Sequence, residues 1–421
     1  MIYYKKKITF KYFAIIAGIF SFLFACERDN NLPINNDTNT NTEVLAACTN
    51  GFADIYPCND YDLMANLPLS VFNANAGNDS WGWVDTETNK EYALMCTDNG
   101  VAFVDITDAL NPLYLGKLPT ATIASPWRDV KVYNNHAFIV ADNNVGEDSH
   151  GMQVFDLTRL RNVSNPPETF TADTHFTGFG RAHNIVINET SGYAYIVGGN
   201  RSNAFAGGPI FINIQDPKNP VMEGGFGAGG YSHDAQVVTY NGPDADYFGD
   251  EILIGSNENE VVIANVTDKN NPTIISKITY NNVRYAHQGW FTSDMTYFIL
   301  GDELDELRLG INTKTIIFDF TDLDNPLVHF DYFGPTTAID HNGYTLNNNF
   351  FLANYNAGMR VLDISAINNK SFTEIGFFDT YPDDDNTGFD GAWTVYPYLP
   401  SGNIIISDGT NGLFIVRKSG T

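Results

Sequence analysis

Four histidines each stand at the head of a short, mostly apolar segment. His183 precedes Asn-Ile-Val-Ile-Asn188, His233 precedes Asp-Ala-Gln-Val-Val238, His287 precedes Gln-Gly-Trp-Phe291, and His341 precedes Asn-Gly-Tyr-Thr345. Three further segments carry tryptophan at the matching place: Trp81, Trp127 and Trp393. A second series marks the ends of the companion strands: Asp98, Asp142, Asn200, Asn257, Asp302, Asn354 and Asp408. In one segment this residue opens the acidic run Asp302-Glu303-Leu304-Asp305-Glu306. Neutral imidazole and carboxylate are the ligands of zinc and similar divalent ions. A bound ion of that kind can activate water for hydrolysis. The candidate set is His183, His233, Asp234, His287, Asp302, Glu303 and His341, for a metal or for another ligand.

Two other uses of the same residues stay open. An imidazole can donate one ring N–H to a neighbouring carboxylate and hold loops in place. Tryptophan at three equivalent positions favours such pinning, because it cannot ligate a metal. The imidazoles can also contact a ligand with no ion present. Taken alone, the run from Asp302 to Glu306 reads as a solvated acidic loop. Two more acidic loops offer oxygen ligands suited to calcium: Asp383, Asp385 and Asp390, and Asp244 with Asp246, Asp250 and Glu251. Neither has EF-hand spacing. The chain has no Gly-x-Ser-x-Gly elbow, phosphate loop, His-Glu-x-x-His or dinucleotide fingerprint. Its formal charge of −27 repels nucleic acid and anionic lipid, so nucleic acid is not an expected partner.

The elements that must position these residues are visible as repeats. Seven copies of one pattern occur: Gly100-Val-Ala-Phe-Val-Asp105, Gly151-Met-Gln-Val-Phe-Asp156, Gly208-Pro-Ile-Phe-Ile-Asn213, Glu260-Val-Val-Ile-Ala-Asn265, Lys314-Thr-Ile-Ile-Phe-Asp319, Gly358-Met-Arg-Val-Leu-Asp363 and Gly412-Leu-Phe-Ile-Val-Arg417. They are spaced 51, 57, 52, 54, 44 and 54 residues apart. Each apolar core is a short buried strand. Asn-Pro follows in five copies, at Asn111, Asn165, Asn219, Asn271 and Asn325, and initiates a turn into an outer strand. Two strands lie upstream of each copy, as in His183–Asn188 and Tyr193–Val197. Four antiparallel strands per repeat of this length predict an all-β, seven-bladed β-propeller. The seventh copy ends near the C-terminus after its third strand. Asp62-Leu-Met-Ala-Asn-Leu-Pro-Leu69 is therefore expected to supply the missing outer strand and remove the exposed edge. In this fold first strands line a central channel, so the histidines should gather at one mouth.

The N-terminus reads as an address. Lys5, Lys6, Lys7 and Lys11 precede an apolar run, Tyr12 to Phe24, too short for a comfortable bilayer span. It ends in Leu23-Phe24-Ala25-Cys26, which resembles a bacterial lipobox. The expected organisation is a leader over 1–25, a lipidated Cys26 with an Asn/Thr-rich tether over 26–47, and a propeller over 48–421. Cys48 and Cys58 bracket a loop in an oxidising compartment and are expected to pair, leaving Cys96 as a buried thiol.

The strand motif resembles the LVIVD repeat, most closely at Phe103-Val-Asp-Ile106, Phe318-Asp-Phe320 and Val361-Leu-Asp-Ile364. With Tyr285-Ala-His-Gln-Gly-Trp290, Gly301-Asp-Glu-Leu-Asp-Glu306, Ile339-Asp-His-Asn342 and Gly391-Ala-Trp-Thr-Val-Tyr-Pro397, the head resembles the choice-of-anchor B family of exported bacterial proteins. That resemblance implies a propeller lipid-anchored to the outer membrane or cell surface of a Gram-negative bacterium, touching the membrane only through its anchor. It brings no catalytic residues. The leading expectation is a binding module for an extracellular ligand or protein, using the His/Asp-rich mouth. The rivals are a metal-dependent hydrolase or lyase acting on an extracellular polymer, and a purely structural surface component.

Overall fold

A computed structural model of the chain describes residues 43–142 and 150–421. The leader, Cys26 and the tether up to residue 42 lie outside the described residues. Seven antiparallel sheets follow one another along the chain and form a seven-bladed β-propeller. Their first strands are Gly77–Asp85, Trp127–Tyr133, Asn184–Asn188, Asp234–Thr239, Ala286–Phe291, Gly343–Leu346 and Ala392–Tyr396. They define blades 1 to 7.

Strands of the blades are buried on both faces, which is why they read as continuous apolar runs rather than alternating ones. Blade 2 shows the logic. Phe138, Val140, Met152 and Val154 pack against blade 3 through Ile185, Ile196 and Ile212. The residues between them, Ala137, Ile139 and Phe155, pack against blade 1 through Leu94, Val101 and Phe103. Period two sends successive side chains to opposite faces, so each strand feeds two interblade cores.

The Asp or Asn closing six of the seven third strands has a plain physical role. Its side-chain oxygen accepts the N–H two residues on: Asp105 from Thr107, Asp156 from Thr158, Asn213 from Gln215, Asn265 from Thr267, Asp319 from Thr321 and Asp363 from Ser365. Each is an Asx turn that stops the strand. The Asn of Asn-Pro is then held by an aspartate three residues earlier, at Asp108, Asp216, Asp268 and Asp322.

Closure is as the sequence predicts. Tyr61–Leu67 pairs antiparallel with Gly412–Lys418 and completes blade 7. The packed head begins before Cys48, because Leu45 and Ala46 donate to the Leu63 carbonyl. Cys48 and Cys58 are joined by a disulfide, and Cys96 is buried and free. Tyr56–Asn59, which contains Cys58, extends the outer edge of blade 6 by pairing with Thr373–Phe378.

The Asn165-Pro166 copy departs from the expectation. The strand after it, Glu168–Thr169, pairs in parallel with Leu113–Pro119 of blade 1. The outer strand of blade 2 is the short Thr174–Phe176. The cause is the longer link in that repeat: Leu157–Asn162 forms a 3-10 helix, which carries the chain across to the neighbouring blade before it returns.

Candidate functional site

First strands of adjacent blades are held together by side chains rather than by a backbone ladder. Asn184 donates to the His233 carbonyl at 3.2 Å, and Gln288 both donates to the Gly343 carbonyl and accepts its N–H. Gln236 accepts the Phe291 N–H at 2.8 Å, and Thr345 donates to the Phe291 carbonyl at 2.7 Å. These bonds fix the strand heads that carry the imidazoles.

The four histidines form one continuous arc. Ring centroids lie 4.4 Å apart from His183 to His233, 4.6 Å from His233 to His287, and 4.4 Å from His287 to His341. Trp127 flanks the arc at His183, 5.8 Å away, and Trp393 flanks it at His341, 4.9 Å away. Tyr285 packs on His233 and Tyr355 on His341. Trp81 does not belong to this level. A bulge over Asn78 and Asp79 shifts the strand head of blade 1, where Gly77 pairs with Thr97. Trp81 sits deeper, against Tyr344 and Tyr396, with the Lys131 ammonium 4.7 Å from its ring. A Cβ on Gly77 would meet the Asp408 carbonyl at 2.3 Å, so no side chain fits there.

Of the acidic candidates, Glu303 alone reaches between two imidazoles. Its Oε2 lies 3.8 Å from His287 Nε2 and its Oε1 lies 3.7 Å from His341 Nε2. Tyr355 donates to Oε1 at 3.0 Å. The tautomer of His341 is set by its other nitrogen, since Nδ1 contacts the Trp393 carbonyl, which can only accept. His183 Nδ1 likewise faces Asp142 Oδ2 at 3.3 Å, and His233 Nδ1 faces the His287 carbonyl at 3.4 Å. His287 Nδ1 is buried and has no hydrogen-bond partner. Burial, reinforced by the neighbouring imidazoles, holds His233 well below the ordinary imidazole range. The same causes push His287 and His341 down to about 3. All three are therefore neutral near pH 7.

Asp302, next to Glu303, is fully engaged elsewhere. Its carboxylate accepts from the Tyr280 hydroxyl and from the backbone N–H groups of Arg284 and Tyr285, each at 2.7 Å. It pins the chain entering blade 5 and does not face the arc. The run that follows is not a solvated loop: Asp305–Leu309 is a short helix, and Asp305 and Glu306 are buried. Lys314 pairs with Asp305 at 3.1 Å, and its N–H donates to Glu306.

Asp234 lies deeper in the channel, beside a charged group that the sequence reading missed. Lys131 of blade 2 bridges Asp79 of blade 1, at 2.8 Å, and Asp129 of its own strand. The second oxygen of Asp129 accepts the Ile185 N–H of blade 3 at 2.8 Å. Burial and then the Asp129 charge push Asp234 up to about 7. The signal was present: Asp129 and Lys131 are two apart in a first strand and so share its channel face.

No family model matches the chain, and no curated protein matches it. Solved structures do. A protein from Lactobacillus plantarum superposes with a TM-score of 0.51 at 13% identity, over 79% of this chain and 89% of that one. The Cps50 (Swd1) β-propeller domain of Myceliophteria thermophila superposes with a TM-score of 0.50 at 8% identity, over 85% of this chain and 98% of that one. What is shared at such identities is the fold.

The calcium candidates divide between an exposed loop and a partly buried one whose last member, Glu251, is buried in a strand. Asp383 and Asp385 are exposed, Arg360 stands 3.9 Å from Asp385, and Asp390 accepts from Thr410. Asp244 is drawn to Asp322 and Asp324 of blade 5 rather than to Asp250 or Glu251. Those two are used by Asn265 and by Lys269. At the other end of the first strands, a cavity of about 400 Å³ is lined by Trp81, Trp290, Lys131 and Gln236 among others. Sequence reading did not find it, because its residues come from the far ends of strands chosen for their heads.

Proposed function

We propose that the protein is an exported, lipid-anchored binding module whose ligand is recognised at the imidazole-lined mouth of the channel. The β-propeller fold supports a binding role. The lipobox-like segment ending at Cys26, the tether and the resemblance to the choice-of-anchor B family with LVIVD repeats support export and anchoring at the cell surface. The single observation that carries the site is the arc from His183 to His341, in which the neutral imidazoles of His287 and His341 face Glu303 without hydrogen-bonding to it.

The test is a screen of the full-length lipoprotein against arrays of surface glycans and peptides. A bound ligand should be lost in the His233→Ala, His287→Ala double variant. Binding unchanged by that pair contradicts the assignment of the mouth. Labelling with radioactive palmitate tests the anchor, and Cys26→Ala should abolish incorporation. The rival, a metal-dependent hydrolase or lyase of an extracellular polymer, is favoured only by the grouping of His287, Glu303 and His341. Release of soluble fragments from a polymer, lost in Glu303→Gln, would support it.

A further inference from the structure

We infer that His287, His341 and Glu303 hold one divalent transition-metal ion of the zinc class. The inference rests on reading the mouth as a ligand site and names the first thing bound there. It begins with hydrogen-bond bookkeeping. The Trp393 carbonyl accepts from His341 Nδ1, which leaves Nε2 as the nitrogen turned toward Glu303 Oε1, at 3.7 Å. Oε1 takes the Tyr355 hydroxyl at 3.0 Å and keeps a second lone pair for a cation. The same carboxylate presents its other oxygen to His287 Nε2 at 3.8 Å, and His287 has no partner on Nδ1. Buried polar atoms without partners are rare and call for an explanation. A cation seated among the three groups ligates both Nε2 atoms and a Glu303 oxygen, and it places the His287 proton on Nδ1.

The donor set selects the cation. Two imidazoles and one carboxylate suit zinc and its neighbours, whereas calcium and magnesium take oxygen ligands. The ligand atoms lie within 4.8 Å of one another. Tetrahedral zinc with bonds near 2.0–2.1 Å separates its ligands by roughly 3.4 Å, so the two histidine–glutamate pairs close by a few tenths of an ångström and the two imidazole nitrogens by up to about 1.4 Å. The supports of such a site are present. The Trp393 carbonyl orients His341, and the Tyr355 hydroxyl orients Glu303.

The experiment is calorimetric titration of untagged, chelator-stripped full-length protein with Zn²⁺ alone. One ion per chain is expected in the wild type. Glu303→Gln should weaken that event by about tenfold or more, His341→Ala by about a hundredfold, and Tyr355→Phe by about tenfold through the outer support. Asp322→Asn, in the other acidic grouping, should leave it unchanged. Co²⁺ should give the visible absorption of a tetrahedral nitrogen and oxygen site, absent in Glu303→Gln. Glu303→Gln keeps the size of the side chain, so the test survives if His341→Ala does not fold. Absence of stoichiometric Zn²⁺ binding overturns the inference, as does binding that Glu303→Gln leaves untouched. Zn²⁺ binding with no hit on the ligand arrays leaves the ion site standing and removes the recognition reading. An array ligand that binds stripped protein through the arc, with no Zn²⁺ event, does the reverse.

Discussion

Two polar groups in the channel are built on different blades, blades 1 and 2 in one case and blades 5 and 6 in the other, and they also differ in how their charges are met. In the lumen, Lys131 bridges Asp79 and Asp129, and Asp129 also takes a backbone N–H from blade 3. Three blades are clamped by a cation placed between its acceptors. At the mouth, the Nε2 atoms of His287 and His341 face the two oxygens of Glu303 with no lysine or arginine side chain paired to that carboxylate. The first group carries its own cation, with Asp79 Oδ1 alone left without a partner; the second has no cationic side chain and needs one added. An internal counter-charge, rather than the presence of titratable residues, separates the structural network from the candidate binding site.

The largest expected contrast is in stability. Lys131→Met leaves Asp129 and Asp79 buried with no counter-charge and should cost about 3–5 kcal/mol of unfolding free energy, read by urea denaturation. Glu303→Gln should cost less than about 1 kcal/mol in the same assay, because no strong pair is broken. Equal losses would break the comparison. Asp302 and Glu303 sharpen it within two adjacent residues. Asp302→Ala strips partners from the Tyr280 hydroxyl and two backbone N–H groups and should cost about 3 kcal/mol. It should leave the Zn²⁺ affinity of the surviving folded protein within about threefold, since Asp302 is no ligand.

A smaller effect separates the groups by pH. Asp234 has a folded pKa near 7 against an ordinary carboxylate value near 4. The folded state then binds the extra proton between those values, so its contribution favours folding at low pH. That contribution is lost as pH rises from about 4 to about 7, at up to about 1.4 kcal/mol per pH unit. Asp234→Asn should flatten this decline relative to wild type in urea midpoints measured across pH 4–8. A wild type and a variant with parallel curves would show that Asp234 is ionised in the folded protein.

The ring was legible in the sequence because its physics repeats. An apolar strand buried on both faces recurs in every blade, and in six of the seven it is stopped by an Asx turn, at Asp105, Asp156, Asn213, Asn265, Asp319 and Asp363. The histidine register was legible because those residues head strands whose starts are fixed by that repeat. What did not show was any feature made by a local departure or by contact across blades. The bulge at Asn78 and Asp79 moved Trp81 down the channel, and no periodicity marks a bulge. Which member of Asp302-Glu303 faces the histidines depends on how the chain turns into a five-residue helix. Lys131 meets Asp79 across 52 residues, a pairing that only the closed ring creates.

The central claim is that a cation belongs between His287, His341 and Glu303. Anomalous diffraction from crystals grown with Zn²⁺, collected on both sides of the zinc absorption edge, tests it most directly. The account predicts one anomalous peak per chain, about 2.0–2.2 Å from both Nε2 atoms and from a Glu303 oxygen. Density there with no anomalous signal, or zinc found only at the surface carboxylates, would contradict it.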